Sequence, residues 1–229
     1  MTPQTSKLLV RFACGCVLLA VGQFVVIQGL AMTRYPGGHD WDKAAPGYDF
    51  WRNTLSDLGK TVAVNGRPNP LSALSRGSAT VFLLSLGPLW LVLPRLFPDR
   101  RRLGAAVRVL GMLSLGGIVG LGLTPADKYH VGHAVANGFA AVPGLAAYLL
   151  SCWGMVFTQK TNAKHCPRWL PVVGGVLLIV AMVHFGQYVA HFWLGFAWPP
   201  AAPACQRLAF LAGLAWIVPT AGVIFRRAK

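Results

Sequence analysis

Apolar residues run almost unbroken through six stretches of the chain, at 12–32, 74–93, 103–123, 131–157, 170–196 and 208–225. A helix needs about 20 such residues to cross the hydrocarbon core of a bilayer. The pattern predicts an all-α membrane fold: a six-transmembrane-helix bundle forming a single integral membrane domain over 1–229. A long outer loop, 33–72, separates helices 1 and 2. The first stretch follows Lys7 and Arg11 and has the layout of a secretory signal. Its apolar core exceeds the roughly 7–15 residues of a signal, so it reads as an uncleaved anchor.

The polar residues between the stretches are few and placed unevenly. Loop 33–72 exceeds the roughly 12–15 residues of a simple connection. It carries Trp41, Tyr48, Phe50 and Trp51, so some order is expected. Within it, Asn53 or Thr54 is suited to cap a short helical turn, with Asp57 near its start and Gly59 at its end. The loop is expected to lie as a small lid over the outer mouth of the bundle. A second polar knot, Pro125 to His133, joins helices 3 and 4. In helix 3, Gly116 and Gly120 form a small-xxx-small pair suited to tight packing within the bundle. Pro143, Pro171 and Pro219 are tolerable kinks or starts in membrane helices.

Composition agrees with the pattern. The chain is 55% apolar and 12% charged, against about a quarter charged in soluble domains. There is no glutamate, and the six acids are Asp40, Asp42, Asp49, Asp57, Asp99 and Asp127. The net charge of +15 is not a nucleic-acid signal, because the basic residues sit in short patches between apolar runs. Arg95, Arg100, Arg101, Arg102 and Arg108 mark one such patch. Lys160, Lys164 and Arg168 mark another, and Arg226, Arg227 and Lys229 a third. The positive-inside rule then places both termini in the cytoplasm of a protein of the cell membrane. Trp41, Trp51, Trp193 and Trp198 fall near the outer interface. Five of six acids and five of six histidines also fall outside, leaving Asp99 and His165 inside. Of the five cysteines, Cys14, Cys16 and Cys152 lie in apolar runs and Cys205 in an outer loop. Cys166 completes the set, no metal-type spacing is present, and no structural disulfide is expected.

Two polar stripes suggest a shared pocket. If helix 4 begins near Asp127, then Asp127, His130, His133 and Asn137 line one face. In helix 5, His184, Gln187, Tyr188 and His191 do the same. Both stripes run inward from the outer side, with Asp57 above them, and intramembrane polar groups face a bundle interior or wet cavity. Imidazoles with one carboxylate suit zinc with an open position for water. The metal candidates are Asp127, His130, His133, His184 and His191; the catalytic candidates are Ser56, Asp57, Asp127 and His133. A bis-histidine haem between helices 4 and 5 is a second metal reading. Mutual hydrogen bonding of the same side chains is the alternative without chemistry. Lys60-x6-Arg67-Pro68 matches the first motif of membrane phosphatidic-acid phosphatases, but the two further segments that chemistry needs are missing.

The chain resembles the family catalogued as domain of unknown function 998, prokaryotic membrane proteins of about six helices. The resemblance rests on Asn53-Thr54-Leu55-Ser56-Asp57-Leu58-Gly59, on Asn69-Pro70, and on Leu123-Thr124-Pro125-Ala126-Asp127 followed by His130 or His133. It implies the fold and a polar site around Asp57, Asp127 and the histidines, and no activity. A looser similarity is to seven-helix ceramidase-type hydrolases, from which this chain departs in lacking a seventh helix and His-x-x-x-His. The function expected is a multi-pass membrane protein whose outer Asp/His pocket binds lipid or a small amphiphile. The alternatives are a metal-dependent lipid hydrolase, and a non-enzymatic accessory subunit or transporter component.

Overall fold

The structure, a computed structural model, describes residues 3–161 and 166–228. Lys164, His165 and Lys229, and the side chain of Lys160, assigned above to the cytoplasmic side, lie outside the described residues. Among the described residues, six helical segments are long and apolar enough to cross a membrane: Gln4–Thr33, Ser72–Leu96, Arg101–Leu123, His130–Gln159, Trp169–Leu194 and Ala202–Arg227. The full elements are α1 (Pro3–Thr33), α2 (Ser72–Leu84), α3 (Leu86–Val92), α4 (Arg101–Leu123), α5 (His130–Thr161), α6 (Trp169–Leu194) and α7 (Ala202–Arg227).

Two of these differ from the hydropathy reading for identifiable reasons. The second stretch is broken at Ser85. Pro88 has no N–H to give Leu84 and its ring crowds that carbonyl, so the helix stops and restarts. Ser85 takes up the slack, its hydroxyl donating to the Phe82 carbonyl at 2.6 Å. The last helix begins at Ala202 rather than 208, with Pro203 in its first turn, where a missing N–H costs nothing. Cys205 is therefore helical, and its sulfur accepts from Gln187 Nε2 at 3.6 Å.

Helices adjacent in the chain are adjacent in space, and α7 returns to α1, so the bundle is a ring. At one end a 3₁₀ turn, Leu93–Leu96, follows α3 and touches α4, α5 and α7. Leu89, Leu93, Leu96 and Phe97 are at most 1% exposed and pack with Val10, Val107, Met155 and Ile224. They plug that end of the ring. Residues 34–71 cover the other end, and the N-terminal part of α1 and the C-terminal part of α7 lie at the plugged end.

The tightest helix pair is α4 against α5. A β-carbon at Gly117 would collide with the Ala140 nitrogen and lie 2.6 Å from the Ala136 carbonyl oxygen. At Gly120 it would lie 2.9 Å from the Ala136 side chain. Gly116, half of the pair read from the sequence, meets nothing within 4 Å. The contact face is thus Gly117 with Gly120, one residue round the helix from the expected one. Gly117→Ala is expected to destabilise the protein by about 1–3 kcal/mol through overpacking, while Gly116→Ala leaves it unchanged or slightly firmer. Thermal unfolding in a mild detergent measures both.

Candidate functional site

The covering segment folds around Asp57. Thr54 caps a short 3₁₀ helix, Leu55–Gly59, and a reciprocal capping box joins Thr54 and Asp57. Asp57 Oδ2 accepts from the Thr54 amide at 2.8 Å and from Asn53 Nδ2 at 3.1 Å. Its Oδ1 pairs with Lys60 Nζ at 2.7 Å. Burial works against the Lys60 charge, but the Asp57 carboxylate outweighs it and holds the amine above its ordinary value. The turn, its cap and its end at Gly59 match the sequence reading. A small antiparallel hairpin, β1 (Gly37–His39) with β2 (Asp42–Pro46), was not legible. It joins the turn through Asn53 Nδ2, which donates to the Gly38 carbonyl at 2.7 Å. Below it Tyr35, Leu58 and Ala63 form a small buried cluster. Burial pushes the Tyr35 phenol up to about 12.

Three sides of the bundle hold this lid. From α7, Arg207 donates to the carbonyls of Phe50 at 2.9 Å and Asn53 at 3.0 Å. Gln206 Oε1 accepts from the Leu55 amide at 2.6 Å. From α2, Arg76 donates to the Gly59 carbonyl at 2.5 Å. From the α4–α5 turn, Asp127 Oδ2 accepts from the Thr61 amide (2.9 Å), the Thr61 hydroxyl (2.5 Å) and the Val62 amide (3.1 Å). Partial burial opposes the Asp127 charge, yet the Thr61 and Val62 donors prevail and keep its carboxyl below the usual range.

Beneath the lid the ring holds two adjoining cavities. The upper one, about 260 Å³, is lined by Ser56 from the lid, Arg76 from α2, and His133, Asn137, His184 and Gln206, among others. The lower one, about 360 Å³, is almost wholly apolar, with Leu86, Trp90, Leu145, Leu177 and Trp216 in its wall. Asn137, His184 and Tyr188 line both. Small side chains, Ala140, Ala141, Gly144 and Ala181, leave the lower space open.

The two expected stripes therefore meet only by their inner halves. His133, Asn137, His184 and Tyr188 share the cavity, and the Tyr188 hydroxyl faces Asn137. Asp127 does not join them. Helix α5 starts at His130, three residues later than the stripe required, and Asp127 lies in the preceding turn, facing the lid. His130 stands exposed with its ring 4.9 Å from that of Phe192. His191 bonds the Phe196 carbonyl at 2.9 Å and packs on Trp198. Ser56 reaches the cavity, but its hydroxyl bonds Thr54 Oγ1 at 2.9 Å. Among the described residues, no three of His, Cys, Asp and Glu come together as a metal-binding group. The donor set read from the sequence is dispersed and does not fit zinc. Sequence reasoning missed Arg76 and Gln206, both masked by lying at the polar margins of apolar runs. No family model, no curated protein and no solved structure matches the chain.

Two outcomes check the lid's construction. Asp57→Ala strands Lys60 and Asn53, at a cost of about 3 kcal/mol, and is expected to open the lid to trypsin at Arg52 and Lys60. For Asp127, a depressed carboxyl stabilises the clamp above the unfolded value, about 4. That stability is lost as pH falls through the lower folded value. Hydrogen exchange should find the Thr61 and Val62 amides protected near neutrality and released only below the ordinary aspartate range.

Proposed function

We propose that the chain is an integral protein of the cell membrane that binds an amphiphile in the paired chambers under its lid. The observation that carries this reading is that the two adjoin, with wall residues in common. The chamber under the lid carries polar groups, Arg76, His133 and Gln206, in mostly apolar walls, and it shares Asn137, His184 and Tyr188 with the more apolar chamber below. Ligand sites are concave, mostly apolar, and supplied with a few convergent polar groups. The head of the ligand lies in the upper chamber and its chain in the lower.

The orientation proposed has the lid outside and both termini in the cytoplasm. Lys7, Arg11, Arg95, Arg100, Arg101, Arg102, Arg226 and Arg227 all belong to the plugged end, as cytoplasmic basic residues would. Exposed Trp41, Trp51 and Trp193 belong to the lid end, at interface depth. Side chains such as Val172, Val176, Ile179 and Val183 face outward from α6, where lipid would meet them.

Binding is favoured over hydrolysis by where the acids are. A Ser-His-Asp triad needs a carboxylate beside its histidine, and a catalytic metal needs about three ligands drawn together, which the described residues do not supply. Asp57 and Asp127 both hold the lid, and no acid lines either chamber.

Two experiments test the reading. In a cysteine-free background, Arg67→Cys is expected to react with an impermeant maleimide on intact cells. Asp99→Cys should react only after permeabilisation; the opposite pattern refutes the orientation. Ala181→Phe projects into the lower chamber, and is expected to lower retention of long-chain amphiphiles while leaving the unfolding temperature unchanged. Equal retention by both proteins refutes the chambers as the binding site.

A further inference from the structure

We infer that the head of the bound amphiphile is anionic, a phosphate or carboxylate group seated at Arg76, His133 and His184. This rests on the amphiphile reading above and narrows it. The upper chamber is lined by a guanidinium and two imidazoles and by no acid. Arg76 gives one donor to the Gly59 carbonyl, and among the described residues no carboxylate pairs with it. A guanidinium has five donors and is charged at every accessible pH. In a chamber with apolar walls such a charge calls for a counter-ion.

The slot for Arg76 is built into the lid. A β-carbon at Gly59 would lie 2.9 Å from Arg76 Cγ, so only glycine there lets the arginine stem pass beneath the turn. The chain thus places a cation at the roof of the cavity rather than at the surface of the lid.

The histidines complete the cradle in different ways. Thr124 O has no proton to give, so His133 Nδ1, 2.6 Å away, must donate to it. That leaves Nε2 of a ring lining the chamber as the basic nitrogen, able to accept a ligand hydroxyl or to share its proton. His184 Nδ1 is buried and, among the described residues, has no hydrogen-bond partner. Buried polar groups are nearly always bonded, so an orphan in a cavity wall marks a missing partner. One ionised oxygen and one protonated oxygen, as on a phosphate monoester, would serve all three side chains at once.

Nearby Arg207 adds to the same imbalance. It is 1% exposed, bonds only carbonyls in the lid, and packs its guanidinium 5.0 Å from the Phe50 ring. Among the described residues, these two guanidiniums under one lid have no carboxylate bonded to them. A free phosphate would answer the charge but leave the 360 Å³ apolar chamber unfilled. The geometry therefore favours a lipid-borne head.

The test uses the full chain in phosphatidylcholine nanodiscs and equilibrium binding of four radiolabelled probes: oleoyl lysophosphatidate, oleate, oleyl alcohol and inorganic phosphate. The expected result is that lysophosphatidate or oleate binds at least about tenfold more tightly than oleyl alcohol, with inorganic phosphate far weaker. Arg76→Gln and His184→Leu should each weaken binding of the charged probes far more than that of oleyl alcohol, so that the preference is largely lost. The second variant breaks no hydrogen bond of the fold, so its result stands even if the first loosens the lid. Equal binding of charged and neutral probes overturns the anionic head while amphiphile binding stands. Absence of binding by all four overturns both. Inorganic phosphate binding as tightly as lysophosphatidate overturns the lipid source.

Discussion

Asp57 is the residue on which the arrangement of this protein rests. It is 2% exposed, yet its carboxylate is fully engaged, with an amide, a side-chain amide and an ammonium around it. Those partners lie within four residues of chain on either side, so the turn assembles locally. Its consequences are not local. The turn presents the Leu55 amide to Gln206 and the Gly59 carbonyl to Arg76, which fixes the lid on the helix that follows it and on the last helix of the chain. The third tie, Asp127 to Thr61 and Val62, reaches across about a quarter of the chain. Without the Asp57 turn, none of these donors and acceptors would face its partner.

This division of labour also decides what the cavity can do. The chain has few acids, and the two read as site residues are used as fasteners. What remains inside is cationic and neutral above, apolar below. Helices in a lipid medium gain little from burial against one another, because packing rather than water exclusion drives their association there. Close approach of α4 and α5 at Gly117 and Gly120 supplies such packing on one side of the ring. Elsewhere in the ring, small residues leave space rather than fill it. The same residue class closes one interface and opens the chamber beside it.

The six helices were legible because membrane-length apolar runs have no competing explanation, and the capped turn was legible because Thr54, Asp57 and Gly59 act over short range. Residues whose partners are distant were misplaced. Nothing near Asp127 in the sequence indicates Thr61, so its spacing from His130 and His133 invited a helical stripe that the Pro125 turn does not form. His130 and His191 have the right period for a shared site, but aromatic and carbonyl neighbours on α6 and just beyond it hold them apart from the cavity. Helix ends were also blurred. Lys7 and Arg11 at one terminus, and Gln206 and Arg207 at another, continue helices past the point where hydropathy falls. Helical hydrogen bonding does not depend on polarity, whereas the hydropathy pattern reads only the apolar part.

A roof fastened at three separate places has a kinetic meaning. To admit a molecule from the water, the Arg76, Asp127 and Gln206–Arg207 attachments would have to release together, an event far rarer than the loss of any single one. On the proposed reading, exchange by that route would be slow, and occupancy would depend on residence time more than on encounter. A molecule already dissolved in the surrounding lipid faces no such requirement if it slips between helices, where side chains move one at a time. On the proposed reading, the way in is therefore sideways from the bilayer rather than through the lid.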